Sequence, residues 1–93
     1  MTYPTIHLNG TGIEMLIKQY SLAHSTLDTA IRRLDGATPN ARDYYPQGHS
    51  ASYEAMQEHA HRRDRLLSVY AELGQILERL HEEAMNRAIF IEG

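Results

Sequence analysis

The side chains best suited to binding chemistry lie in a tyrosine-rich segment near the middle of the chain. Arg42 is followed closely by Tyr44 and Tyr45, with Asn40 and Gln47 flanking them. A guanidinium can pair with a phosphate, tyrosine rings can stack on a nucleobase, and amides can read polar edges. The other interpretation is an ordered loop whose tyrosines close the end of the hydrophobic core. The sequence leaves both interpretations open.

A second candidate site lies near the N-terminus, where His7, Asn9 and Thr11 are interspersed with glycines. Backbone N–H groups at a helix start, together with Asn and Thr side chains, make a natural site for an anion or a carbonyl. Alternatively, Asn9 and Thr11 only cap the helix. We expect Thr11 and Glu14 to form a capping box, in which each side chain accepts a hydrogen bond from the other residue's backbone N–H.

A cluster of basic residues, Arg62, Arg63 and Arg65, lies in the second predicted helix. Arginines at these positions fan around the helix, so at least one is expected to face a partner or a pocket, where it could bind an oxyanion bidentately. Lys18 in the first predicted helix is a further candidate. The alternative for the cluster is a solvent-exposed face neutralised by nearby carboxylates.

Catalytic and metal-binding patterns are weak. Two carboxylate pairs share a helix face, Glu54 with Glu58 and Glu78 with Glu82. All-α pyrophosphohydrolases hold Mg²⁺ with paired acidic residues, but these pairs lie roughly 36 Å apart along one helix. Histidines two residues apart on a helix point about 200° away from each other and cannot chelate one ion. We therefore expect no enzymatic activity, no metal and no cofactor.

Size and composition restrict the class of protein. The 93 residues suffice for a single domain, and 42% of them are hydrophobic, which is ordinary for a globular protein. A net charge of −3 disfavours bulk nucleic-acid binding. The absence of cysteine fits the reducing cytoplasm. The sequence has neither a signal-peptide pattern nor a stretch that could span a membrane, so we expect no membrane partner.

Hydrophobic periodicity predicts an all-α fold within one domain, residues 1–93. Apolar residues at three-to-four spacing predict helix 1 over residues 12–35, and Gly36 and Pro39 end it. Residues 36–50 are rich in proline and glycine and form the connection. Helix 2 is predicted over residues 51–89, with Ser50 as its N-cap. The expected architecture is an antiparallel two-helix hairpin with an extended N-terminal segment, residues 1–11.

The predicted lengths carry two further expectations. With Ile13 level with Leu73, helix 2 would extend beyond helix 1, and the N-terminal segment would cover that overhang with Tyr3, Ile6 and Leu8. The apolar surface of helix 2 is also wider than one partner helix can cover. Burying the remainder favours assembly of the hairpins into a helical-bundle homo-oligomer.

Two motifs carry a resemblance to known proteins. The segments IHLNGTG (residues 6–12) and PNARDYYPQG (residues 39–48) resemble those of small uncharacterised phage and prophage proteins. The hairpin architecture is more distantly similar to that of phage sponges, which sequester the nucleotide immune signals of CBASS and Thoeris defence. Those sponges are helical, oligomeric and non-enzymatic, and they bind ligands between subunits. No ligand residue of a sponge is carried over to a position in this chain.

The resemblance and the residues together suggest a non-catalytic phage-type protein. It would sequester a small anionic nucleotide-derived immune signal at inter-subunit pockets and suppress host anti-phage defence. The first candidate ligand-binding residues are Asn9, Thr11, Arg42, Tyr44 and Tyr45, followed by His7, Lys18, Arg62, Arg63 and Arg65. The alternative is a protein–protein inhibitor or phage accessory factor that binds a host protein through its loop tyrosines and arginines.

Overall fold

The computed structural model describes the backbone of residues 1–92 and the side chains of residues 1–88. Helix α1 spans Ile13–Asp35 and helix α2 spans Ala51–Glu92. The connection contains two short 3₁₀ helices, Ala41–Asp43 and Tyr45–Gln47. The described residues contain no strand. The two long helices pack against each other in an elongated shape of 68 × 21 × 21 Å, so the predicted all-α hairpin is confirmed.

Helix α1 starts without the predicted capping box. Gly12, not Thr11, occupies the N-cap position, with φ −64° and ψ 152°, and no side chain caps it. The Leu16 N–H donates to the Gly12 carbonyl at 3.0 Å, so the first turn closes one residue later than predicted. Thr11 therefore lies outside the helix and the prediction for it was wrong. Its hydroxyl is too early in the chain to reach the N–H groups of the first turn.

The C-terminal end of α1 agrees more closely with the prediction made from the sequence. Gly36 donates its N–H to the Arg32 carbonyl at 3.3 Å, but its φ of −67° is right-handed. This position therefore does not exploit the conformational freedom of glycine. Pro39 disfavours the helical conformation at Thr38, which limits the helix from the following side. Arg32 and Arg33 in the last turn complement the negative end of the helix dipole.

The register of the hairpin differs from the predicted one. Asp35 pairs with Arg63, and the His24 ring stacks on the Tyr70 ring at 4.0 Å. Counting back along both helices from the first pair places Ile13 roughly level with residue 85, not with Leu73. The prediction was wrong because the connection packs against the first turns of α2. Those turns extend beyond the end of α1, so the rest of α2 is shifted along it.

The core is small and lies towards the C-terminal half of α2. Its buried apolar side chains are Ile31, Ile76, Leu77 and Leu80. The N-terminal segment packs beside this region, with the Tyr3 ring 4.6 Å from the guanidinium of Arg79. Tyr3 and Ile6 are half-buried as expected, but Leu8 is fully exposed, so its predicted covering role was wrong. A turn from His7 to Gly10 directs Leu8 outward.

No helix in the described part of the chain is both long and apolar enough to cross a bilayer. Exposed charged residues interrupt the apolar positions of both helices. Helix α2 continues beyond its predicted end at residue 89 to Glu92.

Replacing Leu80 with alanine is expected to lower the free energy of unfolding by about 2–4 kcal/mol, because the side chain is 1% exposed and its loss leaves a cavity. Leu8→Ala is the matched control, since Leu8 is fully exposed. Urea unfolding followed by circular dichroism at one protein concentration measures both. Equal effects of the two substitutions would contradict the core described above.

Candidate functional site

The connection between the helices is ordered by its own hydrogen bonds. The Asn40 side-chain oxygen accepts from the Arg42 N–H at 3.0 Å and starts the first 3₁₀ helix. The Gln47 N–H then donates to the Tyr44 carbonyl at 3.0 Å. Gly48 follows with φ +107°, a left-handed conformation that favours glycine, and leads the chain into α2. These turns hold the two loop tyrosines in fixed positions.

The two tyrosines line different cavities. Tyr44 is half-buried and lines a cavity of about 300 Å³ together with Arg62 and the carboxylates Glu54 and Glu58. Arg62 is already paired with Glu58 at 3.6 Å. With two carboxylates and one paired guanidinium, this cavity repels an anion. Tyr44 therefore fits the interpretation of a side chain that packs the loop against α2.

Tyr45 lines the second cavity, of about 370 Å³, with Gly48, His49 and Ser52. We call this group of four residues the loop cup. The Tyr45 side chain is 71% exposed and offers an open aromatic face. None of the four lining residues is acidic, and the cup adjoins the start of the 42-residue helix α2. Unpaired backbone N–H groups and the helix dipole make that end positive.

The loop cup thus combines an aromatic surface with a place for negative charge. His49 and Ser52 contribute an imidazole and a hydroxyl, both able to hydrogen-bond to an oxyanion. Sequence reasoning found Tyr45 but missed His49 and Ser52. Their position in the sequence could have identified them as candidates, because they lie directly after Gly48 and around the predicted start of helix 2. Arg42 is exposed on the same loop and is the nearest predicted cation in sequence.

The N-terminal candidates lie at the other end of α1. His7, Asn9 and Thr11 are all exposed around a turn in which the Gly10 N–H donates to the His7 carbonyl at 3.1 Å. The His7 ring packs over Gly10 so closely that a Cβ there would lie 2.8 Å from Nε2. Helix α1 has 23 residues and separates this turn from the loop by about 34 Å. Lys18 is exposed on α1, also far from the loop.

The three arginines of the predicted cluster have different surroundings in the structure. Arg63 Nε donates to Asp35 Oδ1 at 2.6 Å, and Nη2 donates to Oδ2 at 3.3 Å. This bidentate pair joins the end of α1 to α2, so Arg63 is engaged in holding the hairpin. Arg62 is paired within its own helix, and Arg65 is exposed. Arg62 lines a cavity together with Tyr44.

A partly buried polar contact accompanies the Arg63 pair. The Thr38 hydroxyl donates to the Asp35 carbonyl at 2.6 Å, so its oxygen is left to accept from His59 Nε2 at 3.3 Å. His59 is 8% exposed and is the buried polar side chain of this contact. We call Asp35, Thr38, His59 and Arg63 the hairpin clasp. Among the described side chains, no group of three or more His, Cys, Asp or Glu residues could hold a metal ion.

The hairpin clasp predicts a stability change in acid. The hydrogen bond from Arg63 lowers the pKa of Asp35 below its ordinary value of 3.8. A lowered folded-state pKa gives a contribution that is present above pH 3.8 and disappears as the pH falls through the lower value. Asp35→Asn is therefore expected to destabilise the protein at neutral pH, with the difference from wild type shrinking to the acid side of pH 3.8.

Thermal unfolding of both proteins across this pH range measures the effect, and Asp43→Asn, an exposed loop carboxylate, is the control. High salt should also reduce the difference at neutral pH, because the pair is partly exposed to solvent. A wild-type advantage that persists unchanged in strong acid would contradict the assigned role of the ion pair.

Comparison with known proteins found no match of any of three kinds. No protein-family model matches the chain, no curated protein matches its sequence, and no solved structure matches its fold.

Proposed function

We propose that this protein is a non-catalytic binding protein that captures a small phosphate-bearing nucleotide-type ligand at the loop end of its hairpin. The observation that carries the proposal is the loop cup, where the exposed Tyr45 ring stands beside the start of α2. A nucleobase would stack on the ring, and a phosphate would face the backbone N–H groups, His49 and Ser52.

The expected interaction energies indicate that the loop cup alone does not give micromolar binding. Stacking of one base on an aromatic side chain contributes about 1–3 kcal/mol, and a hydrogen bond to a charged group about 1.5–3 kcal/mol. Micromolar binding requires about 8 kcal/mol after the loss of ligand freedom has been offset. Further contacts to the ligand are therefore needed. Exposed Arg42 on the same loop could supply one, and residues of a second subunit could supply others.

Sequestration is the activity that such a site would serve. A protein that only binds a signal can lower its free concentration without any catalytic group, provided that enough sites are present. The resemblance of residues 6–12 and 39–48 to segments of small phage proteins supports a role against nucleotide-signalled anti-phage defence in the host cytosol. Within this proposal the assembly is a homo-oligomer with ligand sites between subunits.

A second candidate function is binding to a host protein. Tyr45, Tyr53 and Met56 are 71%, 67% and 44% exposed and lie within or next to the first turns of α2. Exposed aromatic residues are enriched among the energetic hot spots of protein interfaces. An inhibitor or accessory factor could use this surface without any small ligand.

Replacing Tyr45 with alanine is expected to weaken nucleotide binding by about 5- to 150-fold, the equivalent of one lost stacking contact of about 1–3 kcal/mol. Isothermal titration with cyclic diadenylate and with ADP-ribose measures the loss, and inorganic phosphate serves as a weak-binding reference. Tyr53→Ala is the matched control, because Tyr53 is equally exposed and does not line the cup.

Two outcomes would contradict the proposal. One is an absence of binding to both nucleotides by the wild-type protein. The other is an equal effect of Tyr45→Ala and Tyr53→Ala, which would favour a broad protein-binding surface. Native mass spectrometry of protein purified from cells with an active nucleotide-signalling defence adds a test without a chosen ligand, because a retained nucleotide would add its own mass.

The ligand is expected to leave the protein chemically unchanged. Nucleotide incubated with the protein and released by heat should elute at its original position on an ion-exchange column. Glu54→Gln and Glu78→Gln provide the decisive comparison, since each removes one member of a carboxylate pair. A cleaved product that either substitution abolishes would identify a hydrolase and overturn the non-catalytic proposal.

A further inference from the structure

A single hairpin leaves more surface in water than a compact protein of its size. Its accessible surface is 7267 Å², whereas the scaling for folded monomers gives about 5,500 Å² at 10.6 kDa. The excess of about 1,800 Å² exceeds the roughly 800 Å² that each partner contributes to a standard stable interface. The fold therefore has enough surface for at least one extensive contact.

One part of this surface is an apolar groove between α1 and α2. The groove is shallow and open to solvent, has a volume of about 470 Å³ and is lined by Leu22, Ala23, Thr26, Leu27, Ala30 and Leu73. Ala23, Thr26 and Ala30 are small and exposed, and they leave a hollow along α1. Leu22, at one end of the hollow, is 59% exposed, so more than half of its surface is available to a partner.

An uncharged stripe runs along α1 through the groove, with exposed Lys18 and Arg33 at its borders. Met15, Gln19, Leu22, Thr26 and Ala30 follow one another at intervals of three or four residues and therefore share one face of the helix. Met15 is 50% exposed, and on α2 Val69 is 45% exposed. An uncharged stripe of this length on an exposed helix face is typical of a helix that packs against another helix.

We propose that a second copy of this chain occupies the groove, related to the first by a two-fold axis that crosses α1 near its middle. Leu22 of each copy would insert into the hollow formed by Ala23, Thr26 and Ala30 of the other. A two-fold interface requires one surface to carry both complementary features, and here the projecting side chain and the hollow lie one turn apart. A helix of an unrelated protein could fill the hollow, but it would offer no complementary hollow for Leu22.

The position of the groove determines what else the two copies bring together. Helix α1 spans Ile13–Asp35, and the groove lies across its middle. An antiparallel arrangement centred there overlaps the two α1 helices along their whole length. The turn that carries Asn9 and Thr11 in one copy then comes level with the loop that carries Arg42 and Tyr45 in the other. On the proposed function, this juxtaposition completes the ligand site with residues from both copies.

Leu22→Glu tests the interface, with Ser25→Glu as the matched control. Both residues are exposed in the single chain, so neither charge should unfold it, but only Leu22 lies in the groove. Sedimentation is expected to give a dimer for the wild type and for Ser25→Glu. For Leu22→Glu we expect a helical 10.6 kDa monomer with an unchanged circular dichroism spectrum. A monomeric wild type, or a dimeric Leu22→Glu variant, would overturn the groove interface.

Cross-linking tests the antiparallel direction, because the chain has no cysteine of its own. Met15 and Arg33 lie about 27 Å apart on α1, at equal distances from its middle. A Met15→Cys chain co-refolded with an Arg33→Cys chain should form a covalent heterodimer on oxidation, and Met15→Cys alone should not cross-link to itself. Self-cross-linking of Met15→Cys would contradict the antiparallel arrangement.

Complementation tests the shared site with ADP-ribose and cyclic diadenylate as probes. An Asn9→Ala, Thr11→Ala chain and an Arg42→Ala, Tyr45→Ala chain should each lose at least about tenfold in affinity on their own. Random pairing of equal amounts makes half of the dimers mixed, each with one intact site, so about a quarter of the wild-type sites should return. Mixed dimers that form but bind no probe would overturn the shared site.

The two proposals fail in distinguishable ways. Loss of the proposed function appears as a wild-type dimer that cross-links as expected but binds neither nucleotide. Failure of the inferred assembly appears as a protein that binds nucleotide while remaining a monomer.

Discussion

The hairpin clasp is the contact on which the rest of this fold depends. Asp35 and Arg63 join the two helices through a bidentate ion pair, and Thr38 accepts from buried His59 one turn further on. A hairpin of two long helices could slide by one turn with little change in apolar contact, since its core is small. Directional polar contacts remove that freedom, because a shift of one turn would separate both pairs by about 5 Å. The register in turn positions the N-terminal segment and the groove.

Periodicity and loop composition were sufficient for the secondary structure but not for the register. The stripe of apolar residues, together with Gly36 and Pro39, located α1 to within one residue at its start. The predicted alignment of α1 against α2 was displaced by about one-third of the length of α2, because apolar stripes on two helices can match at several offsets. What selects one offset is a set of polar contacts distant in sequence and a connection that packs back on α2. Neither is visible in a local pattern.

In the candidate site, too, the residue types were predictable from the sequence but their spatial arrangement was not. Sequence reasoning identified Tyr45 and Arg42 by residue type, but it could not separate Tyr45 from Tyr44. Consecutive 3₁₀ turns send the two rings into cavities of opposite electrostatic character, one beside carboxylates and one beside a helix start. The residue types are alike, so only backbone geometry distinguishes them. His49 was overlooked for a related reason, since its use depends on the left-handed turn at Gly48.

A rod-shaped hairpin imposes a relation between assembly and binding. Its two distinctive motifs lie at opposite ends of α1, about 34 Å apart, and no small ligand spans that distance within one chain. Joint use of the motifs therefore requires a second chain running in the opposite direction. In such an arrangement a ligand that contacts both chains binds the dimer and not the monomer, so it must also stabilise the dimer by mass action. Self-association and ligand capture then become one coupled equilibrium, and the exposed face of α1 acquires a functional role without touching the ligand.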